Sequence, residues 1–204
     1  MEDTYKKFIN FFYKPESQGN YDSFKAVQKD VHETAVSKGW WDDGDRNDGE
    51  MIALMHSELD EAFDGGYNAD DKVPEYKAYE AEVADCIIRI MDLAERRDWD
   101  VGGSISAHVH VVDEEHEKES YKNLTESTYL MYMHKGLSYA LEGLRKPKQS
   151  DHNENFSEIE FGLAYCVLWS IKFAQRFFLR LPESLCAKAE MNKTRSYKHG
   201  GKNF

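Results

Sequence analysis

The sequence is poor in residues that interrupt helices. Among its 204 residues there are only 4 prolines and 13 glycines, which favours long helices. No apolar run approaches the roughly 20 residues that cross a membrane. The charged start MEDTYKK also lacks the apolar segment of a secretory signal. We therefore expect a cytoplasmic protein with no membrane partner.

Cysteines are few, and basic residues are outnumbered. The three cysteines, Cys86, Cys166 and Cys186, have no CxxC zinc spacing, and their odd number indicates reduced thiols. Lys and Arg total 26 against 38 Asp and Glu, which leaves a net charge of −12. This balance argues against nucleic acid as a partner. A small anionic ligand is not excluded, because a bound metal ion reverses the local field.

Two pairs of carboxylates stand out in the first half of the chain. Glu58 and Glu61 lie in HSELDEAFD, and Glu82 and Asp85 lie in AEVADCIIRIMDLAE. The i, i+3 spacing of each pair places both side chains on one helix face. The neighbouring residues are apolar, and burying unpaired carboxylates costs several kcal/mol each, so a cation should lie among them. Mg²⁺, with Mn²⁺ as a substitute, suits such oxygen ligands.

A solvated helix face is the other interpretation of these acids. For one isolated ExxE motif in so acidic a chain, that interpretation is favoured. Two such pairs on neighbouring apolar helices make a metal site an equal alternative.

The apolar periodicity predicts an all-α helical bundle. The predicted helices cover 4–13, 22–38, 49–64, 74–97, 102–119, 124–145, 156–179 and 182–194. Strand-like residues in SISAHVHVV compete with the helix over 102–119. Gly39 is expected to end the second helix, Asp48 to cap the third, and Pro74 to be the first residue of the fourth. The helix over 156–179 is apolar on all sides, so it should lie at the centre of the bundle or at an interface.

The two halves of the chain resemble each other. Residues 54–64 align with 132–142, and residues 82–101 align with 162–181. In this alignment, uncharged residues of the second half stand opposite all four acids of the first half. Glu58, Glu61, Glu82 and Asp85 align with Gly136, Tyr139, Gly162 and Tyr165, and the pairs His56/His134 and Cys86/Cys166 also align.

This alignment predicts a degenerate internal repeat of the metal-binding helix pair. We expect one all-α domain (1–204) with an active repeat over 22–119 and a degenerate repeat plus basic tail over 120–204. One set of ligands is sufficient for one metal site in the bundle. Buried acids in the second half would destabilise the fold if no metal were bound there. Chance similarity between two apolar helix pairs is the alternative.

The stretch GEMIALMHSELDEAF, followed by EVADCIIRIMDLAERRDWD, resembles the MazG-like all-α nucleoside triphosphate pyrophosphohydrolases. The upstream VHETAVSKGWWDD and the tail EMNKTRSYKHGGK are also similar to that family, so the resemblance covers most of 24–105 and 187–202. An active half followed by a structural half further resembles the dimeric dUTPases. The resemblance implies a bundle in which ExxE and ExxD bind Mg²⁺, a nucleoside triphosphate substrate and a homodimer.

The implied reaction is hydrolysis of a nucleoside triphosphate, with dNTPs favoured, between the α and β phosphates in nucleotide-pool house-cleaning. By resemblance, Glu58, Glu61, Glu82 and Asp85 are the metal ligands, and Glu61 or Glu58 activates the attacking water. The residues expected to bind substrate are Trp40, Trp41, Arg89, Asn192, Lys193, Arg195 and His199. Each of these residues also has a structural alternative. The tryptophans would cap the core, Arg89 would form an ion pair on the helix surface, and the basic C-terminal tail would be frayed.

Other functions are compatible with the same helices. A non-catalytic nucleotide sensor or assembly module would keep the fold, although the intact acids argue mildly against it. A phosphoribosyl-ATP pyrophosphatase shares the fold class but fits the GWW element and the second half less well. A di-iron bundle needs Glu-x-x-His, which neither acid pair provides.

Overall fold

The computed structural model describes residues 2–15, 18–118 and 123–201. Within these residues the chain is all-helical, with no strand and two isolated β-bridges, so the predicted all-α class is confirmed. The described helices are α1 (Glu2–Tyr13), α2 (Gln18–Ser37), α3 (Asp48–Gly65), α4 (Ala78–Arg97), α5 (Val101–Lys118), α6 (Glu126–Arg145), α7 (Glu158–Phe177), α8 (Leu181–Thr194) and α9 (Lys198–Gly201). Among them, no helix has the length and apolar character needed to cross a bilayer.

Three predicted helix starts are wrong. Helix α2 begins at Gln18, four residues before the predicted start at 22. Helix α4 begins at Ala78 rather than Pro74, because residues 68–77 form a turn of their own. In that turn the Asp70 carboxylate accepts hydrogen bonds from two backbone amides, at 2.9 and 2.7 Å. Helix α3 is capped by Asn47 rather than Asp48, since the Asn47 side chain accepts from the amide of Glu50 at 3.1 Å.

Four helices form the centre of the structure. Helix α3 packs against α4, α6 packs against α7, and a contact between α3 and α6 joins the two pairs. The outer helices α8 and α2 cover α4, while α5 covers α7. As predicted from its apolar sequence, α7 is buried over most of its length.

Local geometry repeats at positions 80 residues apart. Helices α4 and α7 both have 20 residues, and each follows a β-bridge, Ala69–Lys77 before α4 and Gln149–Ser157 before α7. Each helix is followed by a residue with positive φ, Asp98 at 55° after α4 and Phe178 at 54° after α7. The connections before and after the two helices are therefore built alike.

Reciprocal hydrogen bonds join the two halves. The Glu80 carboxylate accepts from the amide of Arg180 at 2.6 Å, and the Glu160 carboxylate accepts from the amide of Asp100 at 2.8 Å. Each residue of one bond lies 80 positions from its counterpart in the other. Such reciprocity is the pattern expected of two units related by a local twofold axis.

Gly136 and Gly162 allow the backbones of α6 and α7 to touch. A Cβ atom on Gly162 would lie 2.4 Å from the amide nitrogen of Ala140 and 2.7 Å from the carbonyl oxygen of Gly136. These glycines align in sequence with Glu58 and Glu82. The backbones of α6 and α7 are thus in contact at the two positions that align with these acids.

We expect Gly162→Ala to lower the free energy of unfolding by about 1–3 kcal/mol, because the added methyl group meets backbone that cannot move alone. Urea denaturation measures this loss. Ser127→Ala, at an exposed position of α6, is the control. An unchanged stability of Gly162→Ala would contradict the close packing of α6 on α7.

His56 and His134 stack on each other where α3 meets α6. Their rings are 8° from parallel with centroids 4.9 Å apart, and the two Nδ1 atoms are 2.6 Å apart. Burial, together with the neighbouring His134, lowers the pKa of His56 to about 4, and burial lowers the pKa of His134. The pair therefore resists protonation in the folded protein.

The histidine pair should make the protein less stable in mild acid. The unfolded chain takes up protons at a histidine pKa of about 6.5, while the folded chain does not, so stability falls as the pH drops from about 6.5 toward 4. Between about pH 6.5 and 4, the free energy of unfolding should fall by about 1–2 kcal/mol less in His134→Gln than in the wild type, after allowance for solvent screening. Urea unfolding at neutral and mildly acidic pH tests this, with the exposed His110→Gln as control. Equal pH dependence in wild type and His134→Gln would contradict it.

Candidate functional site

A cleft of about 190 Å³ lies among α2, α3, α4 and α8. The loop between α2 and α3, the turn before α4 and the segment after α8 complete its wall. Its described lining residues are Val31, Thr34, Ala35, Lys38, Trp40, Arg46, Met51, Glu58, Glu61, Lys72, Asp85, Ile88, Arg89, Asp92, Ala189, Asn192 and Arg195.

Helix α4 forms one side of this cleft along its length. Asp85, Ile88, Arg89 and Asp92 follow the i, i+3, i+4, i+7 pattern of a single helix face, and all four line the cleft. Seven residues of helix rise place Asp85 and Asp92 about 10 Å apart along the axis. The cleft therefore has an end near Asp85 and a remote end near Asp92.

Three of the four predicted metal ligands converge at the Asp85 end. Ligand oxygens of Glu58, Glu61 and Glu82 lie within 4.8 Å of one another. Glu58 and Glu82 are only 6% exposed, whereas Glu61 is exposed. Arg89 donates to one oxygen of Glu58 through Nε at 2.7 Å and Nη2 at 2.6 Å. The acids that share helix faces in the sequence thus come together in one group, Glu58, Glu61 and Glu82, which we call the acid cluster.

The fourth predicted ligand, Asp85, pairs with a lysine that the sequence analysis missed. Lys188 is fully buried, and its Nζ lies 2.9 Å from Asp85 and 3.5 Å from both Glu82 and Asp70. A periodicity signal was available, because Lys188 is three residues after the buried Leu185 on α8. A lysine on the buried face of a helix indicates a buried acidic partner.

Glu82 and Glu58 hold protons more readily than isolated glutamates do. Burial, then the hydrogen bond with Asp70, raises the pKa of Glu82 to about 8. Burial also raises the pKa of Glu58, against the opposing charge of Arg89. Burial by itself would lower the pKa of Lys188, but Asp85, Glu82 and Asp70 raise it. A cation entering this cluster would displace protons.

The donor set fits a hard divalent cation. It consists of carboxylate oxygens, which Mg²⁺ and Mn²⁺ prefer. Oε2 of Glu82 is buried without a hydrogen-bond partner among the described residues, so it is available as a ligand. One exposed acid, Glu61, keeps the cluster open toward the cleft.

The predicted substrate-binding residues divide between the cleft and other places. Trp40, Arg89, Asn192 and Arg195 line the cleft, but the structure does not bring Trp41 or Lys193 to its wall. Trp41 is buried and donates through Nε1 to Asp92 at 3.0 Å. Lys193 pairs with Asp30 and Glu190, both at 2.8 Å. The side chain of His199 lies outside the described residues.

The cleft wall is rich in positive charge although the chain is acidic. Its cationic lining residues are Lys38, Arg46, Lys72, Arg89 and Arg195. Two further polar atoms, Nη2 of Arg46 and Oδ1 of Asn192, are buried without a hydrogen-bond partner among the described residues. Buried polar atoms are normally paired, so unpaired ones in a cleft suggest a ligand.

The basic tail is fastened to the loop that carries Trp40. The Tyr197 hydroxyl donates to Asp42 at 2.6 Å, and the amide of Lys198 donates to the carbonyl of Lys38 at 2.9 Å. Gly39, at φ 82°, makes room for the ring, since a Cβ there would lie 2.1 Å from Tyr197. The start of the tail is therefore docked rather than frayed.

The cleft thus combines an acid cluster, a cationic wall and a remote end near Asp92. Comparisons of the chain with protein families, curated proteins and solved structures found no match. The chemistry of the cleft is therefore the basis on which a function is assigned.

Proposed function

We propose that this chain is a Mg²⁺-dependent nucleoside triphosphate pyrophosphohydrolase. It would cleave between the α and β phosphates to release a monophosphate and pyrophosphate, with dNTPs as the favoured substrates and nucleotide-pool house-cleaning as the role. The convergence of Glu58, Glu61 and Glu82 beside a cationic cleft wall carries the proposal. Phosphoryl transfer requires mainly positioning and charge neutralisation, which these two features can supply.

Glu58, Glu61 and Glu82 would hold the metal, with Asp85 beside them. When bound, Mg²⁺ would neutralise phosphate charge and lower the pKa of a bound water. Arg89 fixes the orientation of Glu58 through two hydrogen-bond donors. Glu61 is the exposed acid of the cluster, so its carboxylate is the one best placed to accept a proton from water entering the cleft.

Side chains from α8, from the segment after it and from the turn before α4 would bind the phosphates. Arg195 and Lys72 line the cleft together with Asn192. A guanidinium can donate two parallel hydrogen bonds to phosphate oxygens, and an ammonium supplies a compact positive charge. Lys188 would not reach the phosphates directly, because it is engaged with Asp85, Glu82 and Asp70.

We further propose that the second half is a degenerate copy of the first that replaces a partner subunit. The repeated geometry 80 residues apart and the reciprocal hydrogen bonds of Glu80 and Glu160 support this. The close approach at Gly136 and Gly162 leaves no room for a second metal site between α6 and α7. Association into a homodimer stays a prediction, which a mass measurement in solution tests.

A non-catalytic nucleotide sensor is the second candidate, and Lys188 is the observation that favours it. Its ammonium already compensates Glu82 and Asp85 without a metal. A protein of this kind would bind nucleotide through the cationic wall but would not turn it over.

A product assay distinguishes the two candidates. Purified protein is incubated with Mg²⁺ and each canonical dNTP and NTP, and the products are separated by ion-exchange chromatography, with an EDTA control. Pyrophosphate and monophosphate formed only with Mg²⁺ would support the proposed reaction. Diphosphate and free phosphate would contradict it, because they indicate cleavage of a different bond. Nucleotide binding without turnover would favour the sensor.

A further inference from the structure

The remote end of the cleft presents a carboxylate in a fixed orientation. Asp92 is only 7% exposed, and its Oδ1 accepts from Nε1 of Trp41 at 3.0 Å. The same Oδ1 lies 2.7 Å from Nδ1 of His32, which therefore also acts as a donor. Both hydrogen bonds use Oδ1, so Oδ2 is the oxygen that a ligand in the cleft would meet.

A buried donor, on Arg46, lines the same cleft. Nη2 of Arg46 has no hydrogen-bond partner among the described residues. Arg97 holds the loop that carries it, by ion pairs to Asp45 at 3.0 Å and Asp48 at 2.8 Å and by a bond to the carbonyl of Arg46 at 3.1 Å. Because an unpaired buried donor is costly, a ligand acceptor at this position would be favoured.

The distance from the acid cluster and the shape of the wall suit a nucleobase. Asp92 lies two helix turns from Asp85, about 10 Å along α4, comparable to the reach of a nucleotide from its phosphates to its base. Ala35, Ile88 and Trp40 line the cleft and offer apolar surface to a flat ring. The polar atoms of Asp92 and Arg46 would then meet the edge of that ring.

We infer that this end of the cleft selects bases with an exocyclic amino group beside a ring-nitrogen acceptor, namely cytosine and adenine. The inference rests on the proposed function, because it assumes that the phosphates lie at the acid cluster. The amino group would donate to Oδ2 of Asp92, and the ring nitrogen would accept from Nη2 of Arg46. Uracil and hypoxanthine place a carbonyl oxygen against the carboxylate and an N–H against the guanidinium, and both contacts are repulsive.

Matched substrate pairs test the inference. The members of the pairs dCTP/dUTP and dATP/dITP differ at this edge of the base alone. The wild type is expected to favour the amino member of each pair by about 10-fold or more in kcat/KM, because the oxo member leaves buried polar groups unpaired. Equal values within both pairs would overturn the inference.

Asp92→Asn is the diagnostic variant. The amide can keep its oxygen toward His32 and Trp41, which then places its NH₂ group in the cleft, where it can donate to a carbonyl. The ratio of kcat/KM for dCTP over dUTP is expected to fall by about 10- to 100-fold, through loss for dCTP and gain for dUTP. An equal change for both members, which leaves the ratio intact, would overturn the assignment of Asp92.

A second variant and a second readout cover the remaining outcomes. Arg46→Gln removes the buried guanidinium, so it should lower the ratio of kcat/KM for dCTP over dUTP. Because Arg46 lies in a loop, this variant keeps the test valid if Asp92→Asn does not fold. If no nucleotide is hydrolysed, the proposed function fails but base selection is still measurable by calorimetry with the same pairs and Mg²⁺. Tighter binding of dCTP than dUTP, lost in either variant, would support the inference. Equal affinity or no binding would overturn it.

Discussion

Replacing Glu61 with glutamine is expected to reduce pyrophosphate release by a factor on the order of 10³ or more while thermal stability stays unchanged. Glu61 is exposed, so the substitution removes little packing, and glutamine keeps the size of the side chain. It removes a negative charge within 4.8 Å of the oxygens of Glu58 and Glu82. The affinity for Mg²⁺ and the ability to accept a proton from water should fall together.

The control for this prediction is Asp64→Asn. Asp64 is one helix turn further along α3, is also exposed, and does not line the cleft. It gives the same change in net charge, so its turnover should stay within about twofold of the wild type. Melting temperatures in EDTA show whether each variant is folded. Full Mg²⁺-dependent turnover by Glu61→Gln would contradict the assignment of the acid cluster.

Hydrophobic periodicity was enough to predict the helices, because each helix buries one apolar stripe. It missed the start of α2 by four residues. It also failed at the start of α4, where Pro74 looked like a suitable first residue. The turn that displaces this start depends on the Asp70 side chain and on the Ala69–Lys77 bridge. Such interactions are a property of the folded turn and have no counterpart in helix periodicity.

The acid cluster could be predicted because its members come from two adjacent helices with i, i+3 spacing. Lys188 and Asp70 could not be found in that way. Lys188 is 103 positions from Asp85 in the chain, so only the packing of α8 on α4 brings them together. Asp70 lies in a turn whose residues look like an ordinary polar loop. The spacing of residues within a helix predicts which of them share a face, but it does not predict which face of another helix packs against them.

The two tryptophans show the same limit at neighbouring positions. The sequence suggested either a pocket wall or a core cap for both Trp40 and Trp41. In the structure Trp40 lines the cleft, while Trp41 is buried and fixes Asp92. Adjacent residues at the end of a helix point in different directions, so one motif can serve both purposes.

The largest effect on stability is expected for Lys188→Met. The side chain is fully buried, and its ammonium is the described cation nearest to Asp85, at 2.9 Å. Methionine fills a similar volume but leaves the carboxylates of Asp85 and Asp70 without this partner. Removing one member of a buried ionic cluster costs about 3–5 kcal/mol, so we expect a loss of this size in EDTA, measured by urea denaturation.

Magnesium should reverse part of that loss, and this separates charge compensation from packing. If the acid cluster binds Mg²⁺, the ion replaces the missing positive charge, so it should raise the melting temperature of Lys188→Met more than that of the wild type. Lys193→Met is the control on the same helix, since Lys193 pairs with Asp30 and Glu190 nearer the surface. The free energy of unfolding of Lys193→Met should fall by less than about 1 kcal/mol, and Mg²⁺ should not change this loss. A loss in Lys188→Met that Mg²⁺ does not reduce would mean that the lysine acts through packing and that the acids do not form a metal site.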